Sequence, residues 1–151
     1  MSKVKNLLAG LGGAVALNVL HESLKKSDRN MPRIDILGEE ALEKSLDYFD
    51  AEIDSDENLY KATLAGDILS NALYYSAIGA GAPQYVWPRA VAIGLAAGVG
   101  AITLPEPLGL DDKPVARSTK TKALTIGYYV VGALVTAAIV KATSKKYSPG
   151  I

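Results

Sequence analysis

The residues with the clearest chemical potential are polar side chains that lie inside long apolar segments. Four of them recur at the spacing i, i+3, i+4 and i+7, which places them on one face of a helix: Asp67, Ser70, Asn71 and Tyr74. An acidic side chain inside a membrane is costly and normally faces a partner or a water-filled cavity. The pattern therefore predicts an intramembrane polar site centred on Asp67.

A second polar set lies near the end of the first apolar segment. Asn18 and His21 share one helix face, and Glu22 follows His21 directly. With a rise of roughly 1.5 Å per residue, His21 lies about 6 Å and Asp67 about 9 Å inside the same membrane surface. Because these depths are similar, we expect Asp67 to lie within direct or one-water reach of His21.

These residue types suit acid–base or metal chemistry. Asp67 or Glu22 is a candidate catalytic general base, and His21 is a candidate acid or ligand. The same three residues, His21, Glu22 and Asp67, form a candidate ligand set for a divalent metal ion. The zinc-protease pattern is incomplete, because it needs a second histidine where this chain has Lys25.

Other polar residues are predicted to support this site from several parts of the chain: Asn18, Asp35, Ser70, Asn71, Glu106 and Tyr128. Asp35 would fold back over the site from the first loop, and Glu106 is held between two prolines at the end of an apolar segment. The alternative is a buried hydrogen-bond network that only fixes helix packing, in which His21 donates to Asp67.

Four apolar windows must position these residues: 4–24, 59–80, 85–104 and 123–140. A bilayer core of about 30 Å needs roughly 20 helical residues, so each window predicts a membrane-spanning helix. The alternative for the first window is a secretory signal peptide, although glycines dilute its apolar core. The predicted fold is an all-α integral membrane four-helix bundle that forms a single domain over residues 1–151.

The first loop contains the pattern of an additional amphipathic surface helix over residues 39–53. Its apolar residues recur with charged residues between them: Leu42, Leu46, Phe49 and Ile53. Such a helix lies on the membrane or caps the bundle. The acidic run from Asp50 to Glu57 lacks the central glycine of a calcium-binding loop, so we interpret it as a solvated face.

Small residues follow a regular spacing in the third window. Ala90, Gly94 and Gly98 recur every four positions, and rows of this kind let helix backbones approach closely in lipid. We expect Gly94 and Gly98 to lie at a close crossing of two helices within the chain. A seam between two copies of the chain is the alternative.

Composition narrows the possible partners and the cellular location. The 151 residues carry a formal net charge of +0, which argues against nucleic-acid binding, and the lack of cysteine excludes disulfides and thiolate metal sites. The expected partner is the lipid bilayer. With four spans, ten Lys and Arg residues lie on the side of the long loops and six on the side of the termini. This bias predicts a cell-membrane protein with cytoplasmic loops and both termini outside.

The sequence leaves three functions open. The first is a metal- or proton-dependent enzyme that acts on a lipid-like substrate. The second is a small ion or proton transporter or channel that uses Asp67. The third is a structural or assembly subunit that contacts another membrane protein or a second copy of itself. A one-sided crevice to Asp67 favours the first function, water paths from both sides favour the second, and a sealed site favours the third.

Overall fold

The computed structural model describes residues 2–145, apart from the Lys145 side chain, and this part of the chain is helical with no strand. Lys146, one of the six basic residues counted with the termini, lies outside the described residues. Six α-helices follow one another: α1 (Lys3–Leu24), α2 (Ile34–Tyr48), α3 (Asp56–Ser76), α4 (Val86–Thr103), α5 (Lys113–Ala116) and α6 (Thr119–Lys145). Short 3-10 turns over Ala77–Gly79 and Pro83–Tyr85 join α3 to α4.

The four long helices pack in the order α3–α1–α6–α4. Helix α1 lies between α3 and α6, whereas α3 and α4 make few contacts with each other. Two glycines let α1 approach both neighbours, because a side chain at Gly10 would overlap the backbone of Ala72 and one at Gly13 would overlap Thr136. The small residues of α1 therefore fix its central position.

Helices α4 and α6 cross closely at the predicted glycine row. A Cβ atom at Gly94 would lie 2.8 Å from the Val130 Cα, and one at Gly98 would lie 2.6 Å from the Ile126 Cα. Neither distance leaves room for a side chain. The close crossing at Gly94 and Gly98 is confirmed, and it joins two helices of the same chain.

Three helical segments are long and apolar enough to cross a membrane: Lys3–Leu24, Pro83–Thr103 and Thr119–Ser144. They correspond to the first, third and fourth predicted windows and make the chain compatible with membrane insertion. Helix α3, which covers residues 59–76 of the second window, is not among them. Its first turns carry Asp56, Glu57 and Lys61, and Asp67 lies farther along.

A helix forms in the first loop, but both of its boundaries lie five residues before the predicted ones. Helix α2 begins at Ile34, so Gly38 lies within it, and it ends at Tyr48 rather than at Ile53. The early end has a backbone cause. Asp50 has a φ of +53°, and the amide of Ala51 donates to the Leu46 carbonyl, as in a Schellman cap. Aspartate here takes the left-handed position that glycine usually occupies.

Helix α2 spans the gap between α3 and the segment that follows α4. It packs on α3 and contacts α5. On its other side, Lys44 donates from Nζ to the Gly109 carbonyl at 3.1 Å, and the amide of Asp111 donates to a Glu40 carboxylate oxygen at 3.1 Å. The amide of Arg33 also donates to the Pro114 carbonyl at 2.8 Å. Helix α2 therefore covers one end of the row formed by the four long helices.

Candidate polar site and membrane groove

His21 holds the start of α2. It lies in the last turn of α1 with only 3% of its surface exposed. Its Nε2 atom accepts a hydrogen bond from the Ile34 amide at 3.1 Å. Ile34 is the first residue of α2, and amides in the first helical turn have no partner within the helix. The histidine therefore acts as a distant cap that fastens α2 to α1.

Charged side chains reinforce the same junction. The Nζ atom of Lys25 lies 2.9 Å from a Glu22 carboxylate oxygen and 3.3 Å from an Asp35 carboxylate oxygen. Arg33 holds Asp35 through two hydrogen bonds, of 3.0 Å from Nε and 2.9 Å from Nη2. The two acids and the two bases balance one another, so the cluster carries no excess charge.

These contacts shift the acidity of Asp35 and Lys25. Burial alone would raise the pKa of Asp35, but the two hydrogen bonds and the positive charge of Arg33 hold that pKa well below the usual range. Burial alone would lower the pKa of Lys25, but the Glu22 hydrogen bond and the Asp35 charge raise it above its ordinary value. Both groups are therefore charged at neutral pH.

A small polar cavity lies beneath this junction, between α1, α2 and α3. We call it the Asp67 cavity. Its polar lining residues are Asn18, His21, Glu22, Asp35, Tyr60, Thr63, Asp67 and Asn71. Its volume of about 10 Å³ is enough for one water-sized occupant.

Two groups in this cavity have unused hydrogen-bonding capacity. Thr63 is 5% exposed, and its Oγ1 atom has no hydrogen-bond partner among residues 2–145. Asp67 makes no hydrogen bond or ion pair within the same range. Helix α2 lies close to both groups at Gly38, where an added Cβ would lie 2.7 Å from Thr63 Cγ2 and 3.2 Å from Asp67 Oδ2.

An open apolar groove runs beside the Asp67 cavity, in the gap between α3 and α4. We call it the α3–α4 groove, and its volume is about 400 Å³. Small residues of α4 form one wall, Asn71 and Tyr74 of α3 form the other, and Tyr129 of α6 lies at its base. Tyr74 also donates from its hydroxyl to the Ile93 carbonyl at 2.9 Å. Asn71 lines both the groove and the Asp67 cavity.

The structure brings together most of the predicted site residues. His21, Glu22 and Asp67 line one cavity, as do Asn18, Asp35 and Asn71. Three supporting residues lie elsewhere. Ser70 and Glu106 are exposed and do not line the cavity. Tyr128 is buried beside the His21 ring, with 6.4 Å between the ring centroids, but it does not line the cavity either.

The geometry does not support the divalent-metal set of His21, Glu22 and Asp67. Among residues 2–145, no group of three or more His, Cys, Asp and Glu side chains is arranged to hold a metal ion. The ligand atoms are engaged elsewhere, since the His21 Nε2 atom accepts from the Ile34 amide and Glu22 pairs with Lys25. These two side chains fasten helices instead.

Sequence reasoning missed four residues of this region: Lys25, Arg33, Tyr60 and Thr63. The two basic residues gave no signal because charged side chains are common next to an apolar segment. The position of Thr63 does carry a signal, because this residue precedes Asp67 by four positions and lies on the same helix face.

Comparison with protein-family models, curated proteins and solved structures found no match to this chain. The function must therefore be inferred from the chemistry of the site.

Proposed function

We propose that this chain is a small multi-pass membrane protein that binds an amphipathic, lipid-like molecule in the α3–α4 groove. In this proposal α3 is a fourth membrane span, the protein resides in the cell membrane, and its long loops face the cytoplasm. The observation that carries the proposal is the position of Asn71, which connects an apolar groove to a polar cavity. A molecule with an apolar chain and a polar end matches this combination.

The groove has the size and composition of a small-molecule site. Its volume of about 400 Å³ lies within the range of known ligand pockets. Ala97, Gly100 and Ala101 leave space along α4 where larger side chains would fill it. An apolar chain could lie along this wall, because the groove opens toward the expected position of the lipid.

The polar end of the ligand should be neutral and able to donate a hydrogen bond. The carboxylate of Asp67 can only accept hydrogen bonds, and the Asn71 amide can accept or donate. A ligand carboxylate would be repelled by Asp67. Lys25 and Arg33 do not offset this repulsion, because they pair with Glu22 and Asp35. A long-chain glycerol ester therefore suits the site better than a fatty acid.

Binding of monooleoylglycerol to the delipidated protein in detergent and in sodium-free choline buffer tests the proposal, with oleate as the anionic comparison. We expect saturable binding of one monooleoylglycerol per chain, and weaker binding of oleate at neutral pH. Ala97→Leu should weaken binding about tenfold, since overpacking a site typically costs 1–3 kcal/mol.

Ala92→Leu is the matched control, because Ala92 is exposed on the same helix and does not line the groove. It should leave monooleoylglycerol binding unchanged. Equal binding by the wild type and Ala97→Leu, or oleate binding as tightly as the glycerol ester, would refute the proposed ligand.

A structural role is the second candidate, and the α1–α2 junction favours it. His21 and Lys25 hold α2 to α1, and the Arg33 amide holds its start to Pro114. The Asp67 cavity is also too small for a lipid-like substrate. Under this candidate the groove would bind neither probe, and substitutions at the junction would alter stability alone.

A further inference from the structure

We infer that the Asp67 cavity is a binding site for one Na⁺ ion, formed by oxygen atoms of α1 and α3 and closed by α2. This inference goes beyond the proposed function and does not require a molecule in the α3–α4 groove.

The cavity is lined by side chains whose oxygen atoms can serve as ligands of a small cation. Thr63 and Asp67 are one helical turn apart on α3, and Asn71 follows one turn later, so all three present oxygen atoms on the same face. Asn18 contributes from α1. Its Nδ2 atom donates to the Ala14 carbonyl at 2.9 Å, which leaves its Oδ1 atom available as a ligand.

The unused capacity of these atoms points to a bound partner. The Oγ1 atom of Thr63 is buried without a hydrogen-bond partner within residues 2–145, and such atoms are rare in native proteins. The Asp67 carboxylate likewise has no hydrogen bond or ion pair in that range. A single occupant between these two residues would satisfy both groups.

The charges around the cavity select a monovalent cation. Lys25 and Arg33 are paired with Glu22 and Asp35, so the charges of these four residues sum to zero. The His21 Nε2 atom accepts from the Ile34 amide, which requires an unprotonated nitrogen. Asp67 therefore adds one uncompensated negative charge, which one monovalent cation would balance and a divalent cation would exceed.

The size of the cavity excludes a hydrated ion. About 10 Å³ holds one water-sized body, so an ion must enter without its hydration shell. The amide and hydroxyl oxygens then replace the lost waters. Hard oxygen ligands of this kind are those that alkali and alkaline-earth cations prefer.

The melting temperature of the purified full-length chain in detergent, measured while sodium chloride replaces choline chloride at constant ionic strength, tests this inference. A ligand that binds only the folded state stabilises it by mass action, so we expect sodium to raise the melting temperature by several degrees. Equilibrium binding of radioactive sodium should saturate at one ion per chain.

Two variants and one control make the test specific. Asp67→Asn should abolish the sodium response. Thr63→Val, which keeps the side-chain shape, should weaken sodium binding about tenfold, as expected for loss of one contact to a charged group. Ser70→Ala should behave as the wild type, because Ser70 is exposed on the same helix and lies outside the cavity.

The possible outcomes separate this inference from the proposed function. Sodium-independent melting of the wild type, or an unweakened sodium response in either cavity variant, overturns the inference and indicates that the cavity holds a water molecule or a proton. If Asp67→Asn does not fold, the sodium response of Thr63→Val alone tests the inference. Ala97→Leu should weaken monooleoylglycerol binding and keep the sodium response, so each proposal can fail without the other.

Discussion

His21 and Asp67 line the same cavity, yet their roles differ at the scale of single residues. His21 already has a partner in the Ile34 amide, whereas Asp67 has none among residues 2–145. The histidine therefore serves the packing of α2, whereas the carboxylate stays available for the proposed ion. The best-bonded carboxylate of the region is that of Asp35, which contacts Lys25 and Arg33.

Removing the charge of Asp35 should change both stability and its pH dependence. A carboxylate with a lowered folded-state pKa stabilises the fold fully above its ordinary pKa of about 3.9, and this contribution is lost as the pH falls below that value. Asp35→Asn should lower the free energy of unfolding at pH 7 by about 2 kcal/mol. Its stability should also fall less steeply than that of the wild type in acid.

Thermal unfolding in detergent between about pH 7 and pH 3 measures both effects, because this range covers the ordinary titration of carboxylates. Asp54→Asn is the control, since Asp54 is exposed and forms no ion pair within residues 2–145. A melting curve for Asp35→Asn with the acid sensitivity of the wild type would show that the ion pair does not stabilise the fold.

At the scale of elements, the sequence predicted the long apolar helices and missed the limits of α2. Apolar windows are a direct consequence of bilayer thickness, so α1, α4 and α6 are visible in composition alone. The start of α2 depends on a hydrogen bond from His21, which is distant in the chain, and its end depends on an aspartate in a left-handed conformation. Neither feature leaves a regular pattern in the sequence.

Helix α2 packs closely on α3 at Gly38, and this contact can be tested by substitution. Gly38→Ala should push α2 away from Thr63 and lower the free energy of unfolding by about 1–3 kcal/mol, as overpacking does. Gly66→Ala is the matched control, because a Cβ there meets nothing within 4 Å, and it should be neutral or stabilising by up to about 1 kcal/mol.

Thermal unfolding, together with the rate of protease cleavage in the loops that flank α2, measures the Gly38 effect. We expect faster cleavage of Gly38→Ala and unchanged cleavage of Gly66→Ala. Equal behaviour of the two variants would mean that α2 does not seat on α3 at Gly38.

At the scale of the whole molecule, the order α3–α1–α6–α4 creates the groove. The sequence identified the predicted site residues His21, Asp67 and Asn71, because polar side chains in apolar windows are conspicuous. It could not predict the groove, since small residues show that helices approach closely without showing which helices are neighbours. The groove exists because α3 and α4 are adjacent in the chain but make few contacts.

At this scale we predict that the chain crosses the membrane four times. Leu69 and Leu73 of α3 are 60% and 57% exposed, and this apolar face needs lipid if α3 lies in the bilayer. With four spans both termini lie on one side of the membrane. Single cysteines at Ser2 and after Ile151, added to this cysteine-free chain, should both react with an impermeant maleimide from outside intact cells. Reaction of only one of them would indicate an odd number of spans.

Photocrosslinking in lipid nanodiscs tests the central claim, an amphipathic ligand in the α3–α4 groove, most directly. A monoacylglycerol with a photoreactive group in its acyl chain should label Ala97, Ala101 and neighbouring residues of the groove, and Ala97→Leu should strongly reduce this labelling. Leu8 and Leu11 of α1, which are exposed but distant in the chain from the groove residues, report general contact with lipid. Labelling spread evenly over α1 and α4, unchanged in Ala97→Leu, would contradict the claim.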